Sequence, residues 1–236
     1  MKLGIVQASS VESALNLTDK ALRQGARVVL LPKDWTVSLD LVPVSEFQKI
    51  AKLFTAHIVL GGLYDGFSVV SPIITPDGRV LGLSKMIYPD VKDAVPGTEL
   101  VAFKSSGNKF GVLIGHDLLH SELVLALLRQ NIDVVLVPSA VPVESLQWWS
   151  DVVKLRAAET GMVFVNANLF VPPRSGGHSL IAVPSLEEDR IVGVVKEVLG
   201  ETEGFAVVDV DTTSLIGLRA RKLSEIGKEI KVNLLG

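Results

Sequence analysis

The side chains able to do chemistry fall in a few short stretches of this 236-residue chain. Lys33-Asp34 follows an apolar run that stops at Leu31-Pro32, and Lys85 closes another run. Gly115-His116-Asp117 follows Phe110 to Ile114, which reads as a buried strand, and a helical run starts near Ser121-Glu122. Ser139 follows Val134 to Pro138. A lysine ammonium can stabilise a developing anion, and a histidine can take a proton. A sharp strand-to-helix turn exposes its side chain beside free N–H groups, so enzymes place nucleophiles there. Here that turn carries Gly115, which has no side chain to attack with, and the chain has no cysteine. Asp34, Asp90, Asp93 and Glu99 are the acids available to partner the lysines.

The elements that must position these residues read as alternating strands and helices. Lys2 to Gln7 is a strand, and Ser9 or Ser10 can cap a helix running to about Gln24, ended by Gly25. Arg27 to Leu31 is the next strand, Ser45 can cap a second helix, and His57 to Gly61 is a third strand. Phe67 to Thr75 and Arg79 to Ser84 flank Pro76-Asp77-Gly78, a turn signal that makes a hairpin and hence a mixed sheet. A helix is expected over 144–160 and strands over 162–166, 178–183, 190–196 and 204–210. Leu215 opens a short helix followed by a polar tail. Leu22 to Pro32 aligns without gaps on Leu128 to Pro138: a helix end, a turn and a buried strand stopping at proline. That echo marks a pseudo-twofold pair of sheets or is chance similarity of two αβ units. No linker divides the chain, so one domain over 1–236 is the economical organisation, with two sheets each covered by helices.

Composition removes several classes of function. Hydrophobic residues make up 48% and charged residues 21%, a globular balance. With 23 basic and 26 acidic residues the net charge is −3, which argues against a nucleic-acid surface. No run of about 18 apolar residues is present, so no membrane span is expected, and the N-terminal apolar run is too short for a signal peptide. A cytoplasmic location is the default expectation. The histidines lack metal-ligand spacing, and Gly61-Gly62 and Gly176-Gly177 form no phosphate-cradling loop, so neither metal nor cofactor is expected. Asp117 is expected to cap the following helix, His178 to satisfy buried backbone, and Trp148 and Trp149 to line a rim or pack their helix.

The order of several motifs resembles the nitrilase, or carbon–nitrogen hydrolase, superfamily. They are Leu31-Pro32, the Asp77-Gly78 hairpin ending at Lys85, Pro96-Gly97-Thr98-Glu99, the Phe110 to Asp117 stretch, Leu155-Arg156-Ala157-Ala158-Glu159 and Gly177-His178-Ser179. The resemblance implies a four-layer αββα sandwich with two mixed β-sheets, commonly dimeric through a helix face. It also implies a site in which a glutamate, a lysine and a cysteine converge on an amide or nitrile carbon. On this chain Lys33 stands at the glutamate position and Gly115 at the cysteine position, and Lys85 is taken as the retained lysine. Asp90 or Asp93 corresponds to a further acid, Ser139 to the pseudo-equivalent of Lys33, and His116 to a pocket-shaping aromatic. The expectation is therefore a homologue without the triad, inactive as a cysteine-dependent hydrolase. It would bind a small carboxylate or other anion through Lys33, Lys85, His116 and Ser139, or hold a paralogous subunit. The alternative is an amide or nitrile hydrolase with a relocated nucleophile.

Overall fold

In the computed structural model, residues 1–226 are described. β1 (Lys2–Gln7) leads into α1 (Val11–Arg23), whose N-terminus is capped by the Ser10 side chain accepting from Ser13 N at 3.1 Å. β2 (Val28–Leu30), α2 (Val44–Phe54) and β3 (His57–Val59) follow. α2 begins one residue before the expected Ser45 cap, with Pro43 at its N-cap and no side-chain cap. β4 (Leu63–Tyr64), β5 (Val69–Ile74) and β6 (Val80–Lys85) complete the first half. β1, β2 and β3 are parallel neighbours, β5 runs antiparallel beside β3, and both β4 and β6 pair with β5.

The second half opens with a hairpin of β7 (Ala102–Ser105) and β8 (Asn108–Val112). A 3-10 turn over 115–119 separates β8 from α3 (Ser121–Arg129). β9 (Val134–Ser139), α4 (Leu146–Thr160) and β10 (Val163–Asn168) follow. β11 (Phe170–Val171) and β12 (Ser175–Gly176) make a small ribbon. β13 (Leu180–Glu187) and β14 (Arg190–Glu197) extend the second sheet. β15 (Gly204–Asp209) returns to pair with β1 before α5 (Ile216–Glu225). The polar tail expected after α5 lies outside the described residues.

Three buried clusters show the layering. Leu3, Ile5, Leu30, Val59 and Ile73 of one sheet meet Phe110, Val112, Leu136, Val165 and Ile181 of the other. Val29, Ile58 and Ile74 on the opposite face of the first sheet meet Ala14, Ala21, Leu22, Phe47 and Ala51 of α1 and α2. Val135, Val137 and Phe164 of the second sheet meet Val124, Leu127, Trp149 and Val153 of α3 and α4. Because strand side chains alternate, both faces of each central strand are covered, which explains their unbroken apolar runs. The result is a four-layer αββα sandwich with two mixed sheets.

The internal echo falls on matching strands. The series β15, β1, β2, β3, β5, β6 has the same sequence of parallel and antiparallel pairings as β7, β8, β9, β10, β13, β14. β2 and β9 hold the third place in each series. Their C-terminal ends meet, with Lys33 N donating to Ser139 O at 3.1 Å.

Candidate functional site

Where the ends of β2 and β9 meet, a cleft of about 160 Å³ opens. Lys33, Asp90, Gly115, His116 and Ser139 form its polar side, and Val141, Pro142, Trp148 and Trp149 its apolar side. Lys33 enters from the segment after β2 and is only 5% exposed. Its Nζ donates to Asp34 Oδ2 at 2.7 Å and lies 3.2 Å from Asp90 Oδ2. β2 has already ended, so strand alternation does not aim Asp34 away. Asp34 takes φ 57, a left-handed conformation that aspartate tolerates better than most residues. Its N–H donates to Gly62 O at 2.8 Å.

Two glycines make this approach possible. A Cβ on Gly61 would overlap Pro32 O, and one on Gly62 would stand 2.7 Å from Ile114 Cγ2 and 2.9 Å from Lys33 Cγ. The end of β3 can therefore lie against the Lys33 stem only without side chains at these positions. Gly115 has φ +49, and an added Cβ would meet Lys33 Cδ at 3.4 Å and Met86 Cε at 3.7 Å. The lysine stem and a methionine terminus thus occupy the surroundings of the turn.

Lys85 is not in this cleft. It is exposed at the end of β6, whereas Met86 is wholly buried and reaches Gly115. Successive residues of an extended chain face opposite ways, so a displacement of one position exchanges the ammonium for a thioether. The expectation of two inward lysines is corrected accordingly. Among the acids, Asp90 reaches Lys33, while Asp93 and Glu99 are exposed.

Asp117 does not cap α3. It is almost completely buried and its carboxylate accepts from Ile87 N at 3.1 Å and Tyr88 N at 2.8 Å. Burial holds its carboxyl above the ordinary value, against the opposing pull of those backbone donors. The tie anchors the segment that carries Asp90. The start of α3 is held from elsewhere: Arg156 on α4 donates to Leu118 O at 3.0 Å, Leu119 O at 2.8 Å and Ser121 Oγ at 3.0 Å. The role of Arg156 was not legible, although the Arg-Ala-Ala-Glu run that contains it was. No α3 residue lines the cleft, so that helix supplies no N–H donors to it.

Ser139 lines the cleft but is 1% exposed. Its hydroxyl donates to Asn168 Oδ1 at 2.9 Å and accepts from Asn166 Nδ2 at 2.7 Å. Asn168 Nδ2 donates in turn to Gly177 O, and Ser179 Oγ accepts from Asn168 N at 2.9 Å and donates to Gln7 Oε1 at 2.8 Å. This is a buried network that locks β9 to β10 and β1. His116 is exposed, with Nδ1 3.8 Å from Asp90 Oδ2. His178 lies outside the cleft and pairs with Glu197 at 2.9 Å and Glu201 at 3.4 Å instead of with buried backbone.

The same architecture recurs in solved proteins. A cysteine variant of a nitrilase-superfamily amidase from Nesterenkonia sp. AN1 superposes with TM-score 0.74 at 21% identity, over 95% of this chain and 96% of that one. Saccharomyces cerevisiae Nit3, a member of branch 10 of that superfamily, gives 0.78 at 17% identity, over 97% and 96%. The chain has the nitrilase fold. Another variant of the Nesterenkonia amidase, at TM-score 0.74 and 20% identity over 97% of both chains, carries the acetamide moiety of fluoroacetamide on its active-site cysteine. No protein-family model and no curated protein matches the sequence. On this nitrilase fold the turn after β8 carries Gly115, and the cleft beside it holds one ammonium between two carboxylates. Among the described residues no helix is long and apolar enough to cross a membrane.

Proposed function

We propose that this protein is a non-catalytic nitrilase-fold binding protein whose cleft holds a small polar metabolite. The observation that carries the reading is the side chain beside Gly115. The stem of Lys33 passes 3.4 Å from where a side chain on Gly115 would begin, and its ammonium is already engaged by Asp34 and Asp90. An ammonium held in this way is neither a base nor a free electrophile. Ser139 does not replace the missing nucleophile, because its proton is given to Asn168 and no base approaches it in its network. Losing a nucleophile and its base together removes several orders of magnitude in rate.

The anionic ligand expected from two lysines loses half of its support, since Lys85 is outside the cleft. The test is a panel of simple amides and nitriles under single-turnover conditions. The expected result is no product above the uncatalysed reaction. Turnover of any member, abolished by Lys33→Met, would favour the relocated-nucleophile hydrolase.

A further inference from the structure

Between β6 and β7 the chain leaves the sheet in a loop that closes on itself. At its neck Gly97 N donates to Met86 O at 2.8 Å. A Cβ on Gly97 would stand 2.8 Å from both Lys85 Cβ and Lys85 O, so the two ends come this close only with glycine there. Both legs of the loop are tied. On one side Asp117 accepts from Ile87 N and Tyr88 N, and the Tyr88 hydroxyl donates to Glu122 Oε1 at 2.7 Å. On the other, Val95 N donates to Phe67 O at 2.7 Å and Val95 O accepts from Ser68 Oγ at 2.9 Å.

The middle of the loop is held differently. Among the described residues the N–H groups of 90–93 donate to no backbone carbonyl, and Lys92 and Asp93 are exposed. Val91 packs half-buried against the core between the sheets, and Asp90 Oδ2 lies 3.2 Å from Lys33 Nζ. Asp90 is also the one residue of this loop that lines the cleft. An exposed stretch with so few bonds is where local opening costs least.

The charge count around Lys33 makes this second contact releasable. A buried ammonium needs a counter-ion, and Asp34 supplies one at 2.7 Å from a backbone fixed by its N–H to Gly62 O. When Asp90 leaves, the ammonium stays paired, and a carboxylate already 24% exposed passes into water. His116, with Nδ1 at 3.8 Å, is the other titratable side chain close to Asp90. We infer that residues 89–94 form a strap over the cleft, fastened reversibly by Asp90 to Lys33 and opening between fixed legs. Burial of Val91 favours the closed form, so the open form is the minor one. Opening withdraws the wall between Lys33 and His116, while Val141, Pro142 and the tryptophans stay in place. A partly exposed ion pair is weak and screened by salt, so salt favours the open form. The strap's role as regulator of entry rests on the binding reading above.

The chain has no cysteine, so Lys92→Cys carries a nitroxide label at one place, on the strap and outside the cleft lining. The mobile fraction of its spin-resonance spectrum reads opening. Asp90→Asn is expected to raise the ratio of mobile to immobile label by up to about fivefold, the range that a partly exposed ion pair supports. Added salt should do the same in the labelled parent and little in Asp90→Asn. Asp34→Asn is expected to act in the opposite direction, because Lys33 then has Asp90 as its one carboxylate partner. Acrylamide, a neutral quencher, reads the cleft itself, since two of the three tryptophans line it and Trp35 is buried elsewhere. Quenching should rise with label mobility in Asp90→Asn. Unchanged mobility in Asp90→Asn, shifts of the same sign in both acid variants, or a loosened strap without greater quenching would overturn the inference. Amide turnover would overturn the non-catalytic reading and leave the strap measurements standing.

Discussion

At the scale of single residues, the site is decided by three side chains around one turn. Introducing a glutamate and a cysteine with Lys33→Glu and Gly115→Cys leaves no inward lysine, because Met86, not Lys85, faces Gly115. We expect that double variant to show no amide turnover. Addition of Met86→Lys is expected to give the first detectable product, measured by single-turnover release of ammonia. Equal activity of the double and triple variants would contradict this assignment of positions. Gly115→Cys alone is expected to lower stability by about 1 kcal/mol, the cost of a non-glycine residue in the left-handed region.

Two histidines give the protein opposite pH responses. Burial pushes His57 below its ordinary value, with Asp77 opposing, so folding favours its neutral form. Stability is therefore lost as pH falls below about 6.5, the unfolded value, towards the depressed folded one. His178 is raised chiefly by its hydrogen bond to Glu197. Its contribution is complete below about 6.5 and disappears as pH rises through the elevated folded value. Melting temperature against pH should lose part of its acid-side fall in His57→Gln and part of its fall above neutrality in His178→Gln. Unchanged profiles would refute both attributions.

At the scale of elements, two local devices hold the cleft in shape. Gly61 allows the end of β3 to pass against Pro32, so Gly61→Ala must displace one segment or the other. Its φ of +80 adds backbone strain for any side chain. A loss of more than about 2 kcal/mol in chemical denaturation is expected. Asp117 is the second device, joining the turn after β8 to the segment bearing Asp90. Asp117→Ala leaves the Ile87 and Tyr88 N–H groups without their acceptor and is expected to cost about 2 kcal/mol. Amide exchange at 87–90 should rise with it. Exchange unchanged there would show that the segment is held by Tyr88 stacking on His120, at 3.5 Å between ring centres, and not by the carboxylate.

At the scale of the whole molecule, α4 presents Trp148, Val152 and Leu155 on one stripe at spacings of four and three. Trp148 and Leu155 are exposed and Val152 is half-buried. A stripe of large apolar residues on an outer helix is an interaction surface in search of cover. We propose that two copies associate through it, as the family resemblance implied, and expect Leu155→Asp to convert a dimer to a monomer in light scattering at micromolar concentration. A wild-type protein that is monomeric there would dispose of the proposal.

Much of the architecture was legible because it depends on local pattern. The buried runs of β1, β2, β9 and β10, the helix spacings of α1 and α2, and the Pro76-Asp77-Gly78 turn each declare an element through periodicity or turn chemistry. The gapless echo even located the matching strands of the two sheets. The short β7, β11 and β12 gave no such signal, because two to four residues hold too little period to read. Motif order alone singled out Lys33 and Gly115, which line one cleft. What only the tertiary structure decided was direction and company. Lys85 and Met86 differ by one position, and alternation sends one to solvent and the other to Gly115. Asp34 and Asp90 meet at one ammonium because a left-handed turn and a buried carboxylate far along the chain put them there. The sign of the cleft's charge follows from those approaches, and approaches between distant segments are set by packing, not by the order of residues.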